Sequence, residues 1–364
     1  MGCAIARALC ALWDDVFLLE ALPKVGMLTS TRNSGVIHSG LYYVPGSLKA
    51  RHCVRGNRLT YEFCEAYGVP HRRTGKLVVA SSDADVEELT ALARNGAANG
   101  LEGLRIIDRA AIRAREPHVE GVAALEVPST GILSSEDLVK AYARVASDQG
   151  AHIVTNARVT GIEAGSGNIL VASGAGEIGA RCVVNSAGLF ADDVAAMLGS
   201  DMAAHRIYPV RGEYCELIPA KNDWIRSLVY PMPHPEGLSL GVHLTKTMWG
   251  SVLIGPTARY IQDKSDYEKD REPVEEFARR ARLLLPGIEA ADLVPAYSGI
   301  RPKLTPPSQS STAHAHSKGA PDFIIQRDPQ FSNVIQLIGI ESPGLTSAPA
   351  IAEHVAELAG EILA

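Results

Sequence analysis

The chain has no cysteine pair at C-x-x-C spacing. Its six cysteines, Cys3, Cys10, Cys53, Cys64, Cys182 and Cys215, are scattered. Neither a zinc ribbon nor a redox dithiol is signalled. Scattered thiols in a chain of this length read as reduced, small and hydrophobic, which points to a cytoplasmic setting, with peripheral attachment at the inner membrane as its variant. No apolar run reaches the roughly 18 residues of a membrane-spanning helix. The opening stretch MGCAIARALCALW lacks a basic leader, is interrupted by Arg7 and meets no small-residue cleavage site, so it does not read as a secretory signal. Ala6 stands where myristoylation needs Ser or Thr. Positive charge is not in excess either: the net charge is −6 and the sequence pI about 6.0. Nucleic acid and anionic membrane are therefore not expected as main partners. Internal repeats are absent.

What remains is ordinary globular composition, 46% hydrophobic and 21% charged over 364 residues. That length suggests about two domains. Gly2 to Leu12 has helical spacing, and Asp15 to Glu20 reads as a buried strand ending in an acid. Lys49 to Tyr67, Asp83 to Asn95, Leu189 to Leu198, Glu272 to Leu285 and Leu345 to Leu363 are predicted helices. A further helix runs from a Ser134 or Ser135 cap to about Gln149, with Glu136 and Asp137 in its first turn. Strands are predicted at Thr74–Ser81, Val122–Leu133, His152–Thr155, Arg158–Glu163, Ile169–Ser173, Cys182–Gly188 and Val334–Ile340. Strand-like segments also fill Arg206 to Pro256. Pro306 to Pro321 reads as an exposed loop, where His314 and His316 are not taken as a metal site. Strand–helix alternation at both ends implies an α/β fold with a Rossmann-like domain. The β-rich middle implies an α+β, mostly antiparallel domain interleaved with it. The expected split is residues 1–70, 131–204 and 295–364 against 71–130 and 205–294.

A dinucleotide-binding fold places an acid at the end of its second strand, about 20 residues after a Gly-rich turn. Glu20 has that position; a solvated strand-end glutamate is the alternative. A full G-x-G-x-x-G would put its last glycine at Gly2. The other two, and a central strand, are expected upstream of Met1.

The stretch from Ser30 to Asn57 contains NSGVIHSGLYY and PGSLKARHCVRGN. TGKLVVA, PSTGIL, NSAGLFAD, PVRGEY, YPMP, LGVHLT, GIRPKL, DFIIQ and GIESPGLTSAPAIAEHVAEL follow in order. In this register over most of its length the chain resembles L-2-hydroxyglutarate dehydrogenases and oxidases, within the FAD-dependent D-amino-acid-oxidase-like superfamily. The resemblance implies a noncovalent FAD and oxidation of L-2-hydroxyglutarate to 2-oxoglutarate by hydride transfer to flavin N5. It implies roles for individual residues as well. Glu20 would hold the adenosine ribose, and Val159 would meet the adenine through its backbone. Gly2, Ala187 and Gly188 would approach the phosphates. Arg32, Asn33, Ser34 and Val36 would line the pyrophosphate and flavin, with Gly299 on the cofactor side. Pro343, Gly344, Leu345 and Thr346 would bring a helix N-terminus to the flavin ring, where its positive end suits negative charge.

A 2-hydroxy acid needs a cation for its carboxylate, and Arg grips carboxylates bidentately. Arg301 in GIRPKL is the expected residue, with Lys303 assisting and Tyr230 beside the substrate. Arg211 is a candidate for the distal carboxylate of a five-carbon diacid. Removal of the hydroxyl proton needs a base, and His243 and His38 are both candidates. A quinone, another carrier or oxygen would accept the electrons. Two other readings stay open. One is the same fold acting on another 2-hydroxy acid, glycerol-3-phosphate or a small amino acid. The other is a truncated, non-enzymatic relative that does not retain FAD. Within the resemblance one departure stands out: Trp249 occupies an expected hairpin tip where an Asp-Gly turn is usual.

Overall fold

The computed structural model describes residues 1–165, 167–233, 241–309 and 321–364. Most of the Ser/Pro/His-rich loop, with His314 and His316, lies outside them.

Four helices pack together at one end of the molecule: α1 (Gly2–Cys10), α2 (Leu48–Tyr67), α3 (Ser135–Asp148) and α4 (Gly344–Leu363). The Ser47 hydroxyl starts α2 by accepting from the Ala50 amide at 3.1 Å, and Gly68 ends it in the left-handed conformation. Ser134 caps α3 as expected, and Glu136 and Asp137 sit at its positive end. The core joining these helices includes Tyr61, Phe63, Leu138, Tyr142, Ile351 and Val355. Alongside run parallel pairs: Phe17–Leu19 with His152–Val154, and Val183–Asn185 with Val334–Ile338. The two pairs lie in separate sheets, with no described strand between them.

The rest of the molecule is organised by a nine-stranded sheet. It contains β1 (Lys76–Ala80), β2 (Tyr208–Leu217), β3 (Leu228–Pro231), β4 (His243–Lys246), β5 (Val252–Gly255) and β6 (Leu293–Lys303). These strands neighbour in the order β6–β2–β5–β4–β3–β1. Only the β3–β1 pair among them is parallel, so the expected mostly antiparallel sheet is present. Every residue of β1 is buried. Period-2 alternation sends Leu77 and Val79 to one face, against Phe277 and Leu285, and Val78 and Ala80 to the other, with Tyr42, Leu125 and Tyr230. Lys76 shares the second face.

The β4–β5 hairpin closes with the Thr247 amide donating to Ser251 O at 2.9 Å, and Trp249 is 75% exposed at its tip. Some boundaries differ from the sequence expectations. The charged helix spans only Val274–Ala281 and begins after Pro273. A residue preceding proline is driven out of helical conformation, which excludes Glu272. Instead of one helix after Gly188 there is a 3-10 turn, Gly188–Phe190, then Ala191–Met197. The short helix Arg109–Arg115, capped by Asp108, and the strand Gly176–Ala180 carry little apolar periodicity and were not expected.

Helices α2 and α4 approach so closely at Gly56 that a Cβ there would lie 2.4 Å from Thr346 O and 2.8 Å from Ser347 Cα. Backbone cannot yield as a flexible side chain does. Gly56→Ala is expected to destabilise the fold by about 1–3 kcal/mol, the usual cost of overpacking, and to lower retention of bound cofactor. A denaturant-unfolding midpoint equal to that of the wild type would disprove this contact's importance.

Candidate active site

Two distant segments, Arg32–His38 and Ser342–Thr346, close on each other. The Thr346 hydroxyl accepts from the His38 amide at 3.0 Å and donates to Val36 O at 3.3 Å. Ser342 Oγ lies 3.2 Å from His38 Nε2. Asn33 shapes its own loop: Nδ2 donates to Thr29 O and Ser30 O at 3.2 and 2.8 Å, and Oδ1 accepts from the Gly35 amide at 2.9 Å. Strand β6 fixes this loop from the other side. Tyr297 Oη donates to Asn33 O at 2.7 Å, and Arg32 Nη1 donates to Ser298 O at 3.4 Å. Gly299 must be glycine here, because a Cβ would lie 2.0 Å from Arg32 O. Ser34 hydrogen-bonds Tyr214 of β2. Arg32, Asn33, Ser34, Val36, Gly299 and Thr346 are thus brought together.

The residues expected at the nucleotide end sit at element junctions. Gly2 opens α1 against Leu18 and Ser186, the neighbour of Ala187. Glu20 directly follows the strand Phe17–Leu19, its amide donating to Val154 O at 2.9 Å and its carboxylate accepting from the Leu22 amide at 2.9 Å. Val159 packs in one cluster with Leu19. Gly188 has φ +59 with nothing within 4 Å of a would-be Cβ. Neither α1 nor α4 has a side-chain cap at its N-terminus. First-turn amides there are left for anionic or acceptor atoms, as a dinucleotide cofactor requires. At α4 these are the amides of Leu345 and Thr346, since the Gly344 amide donates to Glu341 O at 2.6 Å. The residues present therefore fit FAD.

Cations cluster beside the Ser342 turn. Arg301 Nη1 donates to Thr257 O at 3.3 Å, and no carboxylate among the described residues forms an ion pair with this guanidinium. It lies over Gly212, where a Cβ would come 2.6 Å from Nη1. Lys303 and Lys49 both pair with Glu341, at 3.4 and 3.0 Å. Burial opposes the Glu341 charge, but Lys303, Lys49 and Arg301 outweigh it and hold its carboxyl down at about 2.

Arg211 does not serve as expected. It is fully buried, with Nε donating to Glu213 at 2.9 Å, Nη1 to Asp266 Oδ1 at 2.9 Å and Nη2 to Lys269 O. A guanidinium balanced by two carboxylates has neither donors nor net charge left for a substrate, which corrects its assignment to a distal carboxylate.

The two candidate histidines have different surroundings. Burial and the Lys76 charge push the His38 imidazole down to about 3, so it is neutral at ordinary pH. His243, 8% exposed, stacks on Tyr230 with centroids 3.6 Å apart and planes 13° apart. Sequence reasoning missed Lys49, Lys76, Tyr42, Tyr214 and Glu341. The signal for Lys76 was a lysine opening an otherwise apolar strand.

The Glu341 carboxyl lies below its ordinary value in the folded protein. Its contribution to stability is fully present above pH 4.5 and is lost as pH falls from there toward 2. Glu341→Gln should therefore be less stable than the wild type at pH 7, with the gap narrowing below pH 4.5. Urea melts across that range check it; a gap that does not depend on pH would contradict the ion-pair assignment.

Comparison with known proteins is consistent with this geometry. Residues 1–358 match the family model DAO, FAD dependent oxidoreductase. The chain is 35% identical over 98% of its length to the mitochondrial L-2-hydroxyglutarate dehydrogenase of Arabidopsis thaliana, covering 80% of that protein. It is 38% identical over 74% of its length to the L-2-hydroxyglutarate dehydrogenase of Escherichia coli (strain K12), and there the match spans 64% of the relative, slightly under two thirds. With the protein of that name from Indibacter alkaliphilus the identity is 32%, covering 94% of this chain and 92% of that one. The fold superposes with a TM-score of 0.85 on dithionite-reduced L-alpha-glycerophosphate oxidase from Mycoplasma pneumoniae with FAD bound, at 26% identity, covering 98% of this chain and 91% of that one. Glycine oxidase from Geobacillus kaustophilus gives a TM-score of 0.81 at 21% identity over 99% and 92% of the two chains, a likeness of fold alone. The uncapped helix starts, the clasped loop and the match along nearly the whole sequence agree, and the chain belongs to the FAD dependent oxidoreductase (DAO) family.

Proposed function

We propose that this chain oxidises L-2-hydroxyglutarate to 2-oxoglutarate. The observation that carries the reading is the placement of Arg301, a cation without an ion-pair partner among the described residues, where its charge acts on Glu341, next to the Ser342 hydroxyl that meets the neutral imidazole of His38. Relatives at 32–38% identity named L-2-hydroxyglutarate dehydrogenase support the choice of acid.

Oxidation removes a hydride from C2 and a proton from the C2 hydroxyl, leaving C2=O. Bound FAD supplies the two-electron acceptor for the hydride. Glu20 and Val159 would hold its adenosine end, Gly2, Ala187 and Gly188 its phosphates, and Arg32–Val36, Gly299 and Pro343–Thr346 its ring system. Arg301 grips the C1 carboxylate and fixes which face of C2 is presented. Lys303, shared with Glu341, adds positive field beside it. His38, neutral beforehand, takes the hydroxyl proton on Nε2, the nitrogen that faces the Ser342 hydroxyl, in the tautomer that carries its own proton on Nδ1. His243 is held flat against Tyr230, a placement suited to orienting the substrate. A quinone, another carrier or oxygen then takes the electrons.

Anaerobic mixing of the FAD-loaded protein with L-2-hydroxyglutarate should bleach the flavin absorbance; bleaching by glycerol-3-phosphate or an amino acid instead would overturn the substrate assignment. Arg301→Ala should lower kcat/KM by about 100- to 1000-fold, the loss of a pair of charge-assisted hydrogen bonds, and Arg301→Lys should restore only part of it. His38→Gln should slow the bleaching step more than His243→Gln does. The reverse order would move the base to His243.

A further inference from the structure

Lys76 is 1% exposed at the start of β1, on the sheet face that also carries Tyr230. Its ammonium sits between two aromatic rings, 4.4 Å from the centroid of Tyr42 and 4.7 Å from that of Tyr230, and donates to Tyr42 Oη at 3.4 Å. Neighbouring buried cations each have an acid: Arg211 has Glu213 and Asp266, while Lys49 and Lys303 share Glu341. Among the described residues no carboxylate pairs with Lys76; Cys53 is the ionisable group whose charge it feels, and that thiol is itself driven well above neutrality by burial. Burial pushes the ammonium down to about 7. An amine buried without an anion is costly, and sites that bind an anion are where such a cost is retained.

Its position ties it to His38 and His243. Its charge acts on His38, and the Tyr230 ring it covers is the ring on which His243 stacks. Arg301 acts on the Glu341 carboxylate, the next residue, Ser342, meets His38, and Lys76 acts on that same imidazole.

We propose that Lys76 is the second cation of the substrate site, which takes the far carboxylate of a 2-hydroxy diacid while Arg301 holds the near one. The role left vacant by Arg211 passes to it. The flexible lysine stem lets the ammonium leave the face of Tyr42 and meet an anion entering along Tyr230. Preference for a diacid over a monoacid then comes from this one residue. The inference rests on the substrate reading above and specifies it.

The test uses the FAD-loaded protein and redox-inert ligands as well as substrates. Dissociation constants for glutarate and butyrate are read from perturbation of the flavin spectrum, in wild type, Lys76→Met and Lys76→Arg. Turnover of L-2-hydroxyglutarate and L-2-hydroxybutyrate is measured in parallel. Lys76→Met should weaken glutarate by about 10- to 100-fold, the loss of one charge-assisted hydrogen bond, and leave butyrate within about threefold; the kcat/KM ratio of diacid to monoacid should fall in the same proportion. Lys76→Arg should keep part of the preference. Equal weakening of both ligands in Lys76→Met, with normal FAD content and thermal melt, would show a merely structural lysine and overturn the proposal. An unchanged diacid preference would overturn it too. A Lys76→Met that does not fold leaves Lys76→Arg to decide, through a fall or no fall in that preference. A wild type with no preference for diacids would instead refute the substrate reading on which the proposal stands.

Discussion

One hydroxyl joins the two halves of the site. Thr346, in the first turn of α4, accepts from the His38 amide and donates to Val36 O, while its own carbonyl accepts from the Thr60 hydroxyl on α2. Residues some 300 positions apart in sequence are thereby held in one place. Gly56 lets α2 close over this point, and Gly299 lets β6 cross the backbone of Arg32. Such a clasp orders the loop before any ligand arrives, so binding energy is not spent on ordering it. Loosening it would separate the His38 loop from the helix start at Gly344–Thr346.

Around the clasp, charge is distributed unevenly. Glu213 and Asp266 neutralise Arg211, and Glu341 is shared by Lys303 and Lys49. These ion pairs lock the sheet to its neighbouring loops and leave little net field. Arg301 and Lys76 are different in kind, because no described carboxylate pairs with either. The Tyr42 and Tyr230 rings flank Lys76, and Tyr214 stands within electrostatic reach of Arg301. His38 is kept neutral by burial and by the same Lys76 charge. An anion placed on that lysine would relieve the repulsion and raise the basicity of His38.

Much of this was legible in the amino-acid order. Helices α1 to α4, the β1 strand, the Ser134 cap and the Trp249 hairpin tip follow from apolar period and turn chemistry, which act over a few neighbouring residues. The motifs around Asn33, Arg301 and Pro343 singled out the family. Local pattern does not determine partners across the chain. Arg211 and Arg301 both stand in short motifs with a glycine and look equivalent in sequence, yet they lie on adjacent strands with opposite fates. One meets Glu213 and Asp266 and is consumed; the other donates to a carbonyl and has no carboxylate ion pair among the described residues. Lys76 reads as a strand-end lysine bound for solvent until the sheet closes Tyr42 and Tyr230 over it. The sequence by itself determined element types, the cofactor family and the identity of the groups available for chemistry. The tertiary structure alone decided which cations remain available and which are neutralised, because that depends on carboxylates that long-range packing brings within a few ångströms.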